Sequence, residues 1–224
     1  MWTTRKQRML RDIEMEVEYT RNMIGKAVLD SRVMAAMKEV PRHEFVPPEG
    51  QDQAYYNGPL PIGYGQTISQ PSIVAQMTEA LRVGPGDKVL EVGTGSGYQT
   101  AILCELCRQV YSVEVVAALS EAAAARLKRL GYANVETRIG NGYQGWPEHA
   151  PYDGIIVTAA ATTIPQPLVE QLKPGARLVI PVGLPFFHQE LMVVENNDTG
   201  ATTARSILGV AFVPLTGGPG GRED

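Results

Sequence analysis

The stretch LEVGTGSGYQTAIL, residues 90–103, constrains this chain more than any other. It reads as a buried strand, a glycine-rich turn and the start of a helix. Gly93, Gly95 and Gly97 allow a tight turn and a close approach of ligand to backbone, at the carboxyl end of the strand. A strand feeding a helix in this way opens a parallel α/β sheet.

The residues that follow repeat the pattern. QVYSVE (109–114), NVETRIG (134–140), YDGIIVTAA (152–160) and GARLVIPVG (175–183) read as strands. Between them GYQTAILCELC (97–107), VVAALSEAAAARLKRLG (115–131) and IPQPLVEQL (164–172) read as helices. Strands alternating with helices predict a parallel sheet covered on both faces. ELMVVE (190–195) and ARSILGVAFVPL (204–215) have no helix between them and predict an antiparallel finish, giving a mostly parallel seven-stranded sheet. Ahead of the glycine motif, Met9, Ile13, Val17 and Ile24 form one helical stripe. Val33, Met37 and Val40 form another after an Asp30-Ser31 start signal, and Pro41 ends it. Residues 41–70 read as irregular, which suggests a binding loop or lid. Ile73, Met77 and Leu81 mark one more helix.

Bulk properties remove several function classes. The 224 residues carry a net charge of −4 with basic residues spread along the chain, unlike a nucleic-acid binder with its basic stripe. No apolar run approaches the roughly 18 residues of a membrane span. The start MWTTRKQRML has no apolar core behind it, so no signal peptide is read and a cytoplasmic protein is expected. His43, His149 and His188 lack metal-ligand spacing, and no metal is expected. Cys104 and Cys107 form a C-x-x-C late in a helix, away from a helix N-terminus that would stabilise a thiolate, and read as inert packing residues.

The acids around the glycines narrow the ligand. The spacing is G-x-G-x-G rather than the G-x-G-x-x-G of a dinucleotide fold. Glu114 ends the second strand of the motif region, near the roughly 20-residue offset of a ribose-binding carboxylate. Glu91 lies just before the glycines, where a pyrophosphate would be repelled. S-adenosylmethionine has no phosphate, and Glu91 is expected to meet its cationic amino acid end while amides of the loop meet its carboxylate. Asn141, in GNGYQGWP, is expected either to accept from the adenine amino group or simply to make an Asn-Gly turn. Ser69 and Ser72 precede the helix at 73–81, and either could cap it. Phe45, Tyr55, Tyr56 and Tyr64 either line a peptide groove or pack the long loop.

LEVGTGSGY, the Glu114 position and GARLVIPVG resemble the motif series of Rossmann-like class I S-adenosylmethionine-dependent methyltransferases. LPIGYGQTISQPSIVAQMTEAL, with VPRHEFVP and AYYNGPL before it, resembles the protein-L-isoaspartate (D-aspartate) O-methyltransferase family. The likeness runs from about Val40 to Leu215, and GQTISQP is its most specific part. It implies methyl transfer from S-adenosyl-L-methionine, leaving S-adenosyl-L-homocysteine, to the free α-carboxylate of L-isoaspartyl residues in damaged proteins and peptides. The ester re-cyclises readily, and some chains return to aspartate. The alternative is a carboxyl methyltransferase of the same fold with a dedicated peptide or other carboxylate substrate. A nicotinamide oxidoreductase fits the glycine spacing poorly, and a non-catalytic cofactor binder stays open.

The resemblance also implies roles for residues. Ser69 is the catalytic or orienting hydroxyl, helped by Thr67, with Val213 beside the substrate backbone. Gly93, Thr94, Gly95, Ser96, Gly97, Glu114, Asn141 and Gly142 match the family's cofactor positions, and Gln66, Thr67, Ile68 and Glu91 complete the expected cofactor set. Residues 1–82 would hold N-terminal helices and the active-site loop, 83–216 the cofactor-binding α/β part, and 217–224 a flexible tail, in one compact monomeric unit. The chain departs from the family's usual residues at four positions. Asn57 and Asn141 stand for Asp, Ala161 for Pro and Ala211 for Arg. These departures bear on cofactor affinity and substrate range rather than on reaction type.

Overall fold

The computed structural model describes residues 2–184, 187–197 and 201–217. Of the expected tail only Gly217 falls among them. Helix α1 (Trp2–Tyr19) buries Met9, Ile13 and Val17, the spacing of one helical face. A single turn, α2 (Arg21–Ile24), takes up Ile24 and stops at Gly25, whose φ is 75°. Helix α3 (Ser31–Glu39) starts on Asp30, whose carboxylate accepts from the Arg32 amide at 2.8 Å. It stops where Val40, restricted by Pro41, turns extended.

Residues 41–70 are more ordered than their composition predicts. Two 3-10 turns, Arg42–Phe45 and Pro48–Gln53, lead into a hairpin of β1 (Leu60–Gly63) and β2 (Gln66–Ile68). Its two-residue loop is Tyr64-Gly65, with φ of 53° and 69°. Two successive positive φ values are the mark of a type I′ turn, whose twist suits a hairpin. The turn was hidden because Tyr holds a position that usually signals itself as Asn or Gly.

Helix α4 (Pro71–Leu81) follows, then β3 (Lys88–Val92), α5 (Tyr98–Leu106), β4 (Gln109–Glu114), α6 (Ala117–Arg129) and β5 (Val135–Ile139). The chain then crosses to β6 (Tyr152–Val157), α7 (Gln166–Glu170) and β7 (Leu172–Gly183), and ends in β8 (Gln189–Asn196) and β9 (Thr202–Val210). Sheet order is β5-β4-β3-β6-β7-β8-β9. Strands β5 to β7 pair in parallel, and β8 and β9 add in chain order as antiparallel partners. Three strand ends differ from expectation by three residues or more, β6 stopping at Val157 rather than Ala160. Strand β7 begins at Leu172 through an irregular pairing with β6, and β9 ends at Val210, so residues 211–215 form no strand.

The buried strands point apolar residues both ways, as a parallel sheet covered on two faces requires. Val89, Val110, Ile156, Val179 and Val193 join one core with Met9, Met37, Met77 and Ile102. Leu90, Tyr111, Ile155, Leu178 and Val194 join the other with Trp146 and Leu168. Right-handed crossovers through α5 and α6 cover only the β3–β5 half of the first face. Helix α4 packs on β6 and β7, and α2 on β9, so the N-terminal segment covers the rest.

Ile102, fully buried between α5 and the sheet, probes that core. Ile102→Ala is expected to destabilise the chain by about 2–5 kcal/mol, read from urea unfolding. A loss under about 1 kcal/mol would mean the site is not packed as described.

Candidate active site

Strand β3 sends one connection toward β4, while its other neighbour, β6, is reached from the far side. The reversal opens a crevice at the carboxyl ends of these strands. A cleft lies there. Its walls are the glycine loop Gly93–Ser96, Glu114–Val116 beyond β4, Thr158 and Ala159 beyond β6, the β2 segment Gln66–Ser69, and Val213–Thr216. Residues 66–69 and 213–216 therefore meet at one edge of the sheet.

Backbone bonds shape the loop. The Gly93 amide donates to the Val113 carbonyl at 2.8 Å, and Gly93 has φ 95°. A β-carbon there would stand 2.4 Å from the Thr158 hydroxyl, so only glycine fits. Glu114 closes the floor: one carboxylate oxygen accepts from the Gly95 amide at 2.8 Å, the other from the Val116 amide at 3.0 Å. A carboxylate has about four lone-pair sites, so two acceptor positions remain toward the cleft. Arg126, on α6, donates to the Ser96 carbonyl at 2.7 Å and ties the loop down.

Gln66, Thr67, Ile68 and Ser69 face this loop across the cleft, with Gly142 and Val213 at its edges. Ser69 does not cap α4, and neither does Ser72. Gln70 occupies the cap position, and its own side chain makes no capping bond. The Ser72 amide donates instead to Asn57 Oδ1 at 3.0 Å, and its hydroxyl accepts from Gln70 at 2.8 Å. Asn57 thus supplies from a distance what a capping residue would, and its carboxamide oxygen suffices.

Three expected cofactor contacts, Glu91, Gly97 and Asn141, lie outside the cleft's lining, Gly97 standing at the start of α5. Glu91 does not line the cleft; it is fully buried and points toward α5. Its Oε2 accepts from the hydroxyls of Thr100 and Ser112, both at 2.5 Å. Since Ser112 donates to Glu91, the Thr94 hydroxyl, 2.6 Å from it, donates to Ser112. Glu91 therefore reaches the loop only through Ser112 and Thr94. Asn141 likewise spends its carboxamide elsewhere. Oδ1 accepts from the Tyr143 amide at 3.0 Å, and Nδ2 donates to the Gly217 carbonyl at 2.6 Å. It makes the turn and holds residue 217, outside the cleft's lining.

A model of the family described as protein-L-isoaspartate(D-aspartate) O-methyltransferase matches residues 16–220. The chain belongs to this family. It is 63% identical over 213 residues to protein-L-isoaspartate O-methyltransferase 2 of Syntrophobacter fumaroxidans, covering 95% of this chain and 86% of that one. The corresponding figures for the enzyme of the same description from Polaromonas sp. are 59% over 209 residues, 93% and 99%. A solved protein-L-isoaspartate O-methyltransferase superposes with a TM-score of 0.77 at 30% identity. The superposition covers 90% of this chain but 66% of that structure, so this chain spans about two thirds of its length. A Plasmodium falciparum structure of the same enzyme description, in complex with S-adenosyl-L-homocysteine, gives 0.73 at 25% identity over 91% and 96% of the two chains.

Within this family member, sequence reasoning missed Arg42. It is fully buried, and its guanidinium donates to the carbonyls of Ala54 at 2.8 Å and Ser69 at 2.9 Å. The only signal was an Arg between the apolar Val40 and Phe45, too brief for a periodicity argument. The aromatic residues divide. Phe45 packs edge-on against Tyr98, and Tyr55 is buried with its hydroxyl 2.7 Å from His43 Nδ1. Tyr56 and Tyr64 are exposed. Cys104 and Cys107 are buried free thiols, and burial pushes Cys107 up to about 12 and Cys104 higher still. Among the described residues no cluster of His, Cys, Asp and Glu could hold a metal ion.

Burial pushes the Glu91 carboxyl up to about 8, against the opposing hydrogen bonds from Ser112 and Thr100. The folded chain then holds this proton more tightly than the unfolded chain, whose Glu titrates near about 4.3. Its contribution to stability is complete below that value and is lost as pH rises toward about 8. Glu91→Gln is expected to flatten the fall in urea midpoint between about pH 5 and 8. Equal slopes in variant and parent would contradict this account of Glu91.

Proposed function

We infer that this family member transfers the methyl group of S-adenosyl-L-methionine to the free α-carboxylate of L-isoaspartyl residues in damaged proteins and peptides. One observation carries the reading. Across a single cleft, hydroxyl-bearing Thr67 and Ser69 face a glycine loop with a carboxylate fixed at its floor. Among the described residues, neither hydroxyl is engaged in a hydrogen bond within the protein.

The chain's residues suit the cofactor's chemistry. Glu114 keeps acceptor positions for two ribose hydroxyls. The backbone of Gly93–Ser96 is bare enough for close approach. Bound here, the sulfonium supplies an electrophilic methyl group. The rest of the work is orientation. A carboxylate is ionised at neutral pH, given an ordinary pKa of about 4, and needs no general base. Holding its oxygen in line can supply roughly 7–11 kcal/mol over a random encounter. Short hydroxyls of Ser69 and Thr67 can grip that carboxylate without neutralising it. Val213, whose carbonyl accepts from the Ala160 amide at 2.8 Å, offers an ordered wall for the substrate backbone. The ester product re-cyclises, which makes the reaction a step of repair.

We place the activity in the cytoplasm, in a monomer working without nucleic acid or membrane. Two unpaired buried thiols and a net charge of −4 with dispersed basic residues support parts of this. The chain's Ala211, at an exposed position, leaves a dedicated peptide substrate as the second reading.

The test is a matched pair of peptides, one with isoaspartate and one with aspartate, offered with methyl-labelled cofactor. Base-labile label on the isoaspartyl peptide alone is the expected result. Equal labelling of both would favour the dedicated-substrate reading, and no labelling would reject carboxyl methylation of such residues. Two variants separate the roles. Ser69→Ala is expected to lower turnover by about 100-fold with little change in cofactor affinity, consistent with the loss of about 2.7 kcal/mol of orientation. Glu114→Ala is expected to weaken S-adenosylhomocysteine binding in calorimetry first. Unchanged affinity there would remove the ribose assignment.

A further inference from the structure

Arg42 is an exception to a strong rule. Buried charges are ordinarily paired with an opposite charge. Among the described residues no carboxylate stands against this one: the groups that act on its charge are the phenols of Tyr98 and Tyr55. It is bound instead by neutral carbonyls, of Ala54 at 2.8 Å, Ser69 at 2.9 Å and Gly58 at 3.4 Å. Its carbon centre lies 4.7 Å from the Tyr98 ring. Its Nη1 atom and the Tyr98 hydroxyl are both buried without a well-formed hydrogen bond. An arginine does not discharge by losing its proton, so the positive charge stays.

Its location gives that charge a use. Ser69 and Tyr98 both line the cleft, and Arg42 stands directly behind the two. An apolar side chain would fill such a position without the desolvation cost. Low dielectric on the protein side carries the field toward the cleft with little screening. A site that must accept an ionised carboxylate gains from a positive charge it cannot touch. Direct contact would be worse, because a close ion pair would lower the nucleophilicity of the oxygen.

We propose that Arg42 is a positioning residue with two effects: its fork fixes the Ser69 segment, and its unpaired charge makes the cleft select an ionised carboxylate over its neutral amide. The proposal rests on the carboxyl-methylation reading, and its test keeps the two apart.

Two peptides of one sequence serve as probes, one with the isoaspartyl α-carboxylate free and one with it amidated. Their affinities are measured with the enzyme saturated in S-adenosylhomocysteine. Methylation of the free peptide by the parent enzyme checks the underlying reading independently. The parent is expected to prefer the carboxylate, and Arg42→Gln to reduce that preference on the order of tenfold while still binding S-adenosylhomocysteine. Simple loosening of the fold would weaken both peptides alike and leave their ratio unchanged. A lysine buried here without a counter-charge would shed its proton, so the second probe is Arg42→Met, which lacks both charge and fork and should lose the same preference. An unchanged ratio in folded Arg42→Gln overturns the proposal. If that variant does not fold, an unchanged ratio in folded Arg42→Met overturns it, and a ratio reduced on the order of tenfold supports it.

Discussion

A parallel sheet must bury both of its faces, and its own crossovers cannot cover all of this one. Helices α5 and α6 cover the β3–β5 half of one face, and the opposite half would lie bare. The N-terminal segment fills that gap: α4 lies on β6 and β7, α2 on β9, and α1 packs on α3 and α4. The same packing decides where the candidate site lies. Helix α4 is entered from the β1–β2 hairpin, so seating it on the sheet brings Thr67 and Ser69 to the sheet's carboxyl edge. Cover and active segment are one piece of chain.

At that edge, polar groups are arranged to hold backbone rather than to move protons. Glu114 takes two amides and fixes the loop that faces it. Thr94 and Ser112 lead inward to Glu91. Arg42 holds three carbonyls of the segment opposite. Such a site suits a reaction whose nucleophile is already ionised. It needs two reactants held in line and water kept away, and it needs neither a base nor a strained nucleophile.

Much of this was legible because parallel strands write their burial as continuous apolar runs. VLEV and VYSV are such runs, closed by Gly93 and Glu114, and GIIV is another. The misreadings have particular causes. Glu91 shares a strand face with Val89, and strand alternation turns that face toward α5 rather than the cleft. Motif position outweighed alternation in reading it. Asn141 followed its plain turn chemistry, and its donor gained a partner 76 residues away that no local pattern announces. The start of β7 is masked by Lys173-Pro174-Gly175, which reads as a loop although it pairs irregularly with β6. Arg42 shows the limit most clearly. A lone buried cation is defined by three distant carbonyls and an aromatic ring, and a single sequence records none of them.

The central claim is that one cleft brings the cofactor loop and the Ser69 segment together around a carboxylate. A crystal structure with S-adenosylhomocysteine and an isoaspartyl peptide bound tests it most directly. The account predicts ribose hydroxyls on Glu114 and the free carboxylate against Ser69, with one of its oxygens facing the cofactor's sulfur. A peptide seated away from Ser69, or a ribose remote from Glu114, would contradict it.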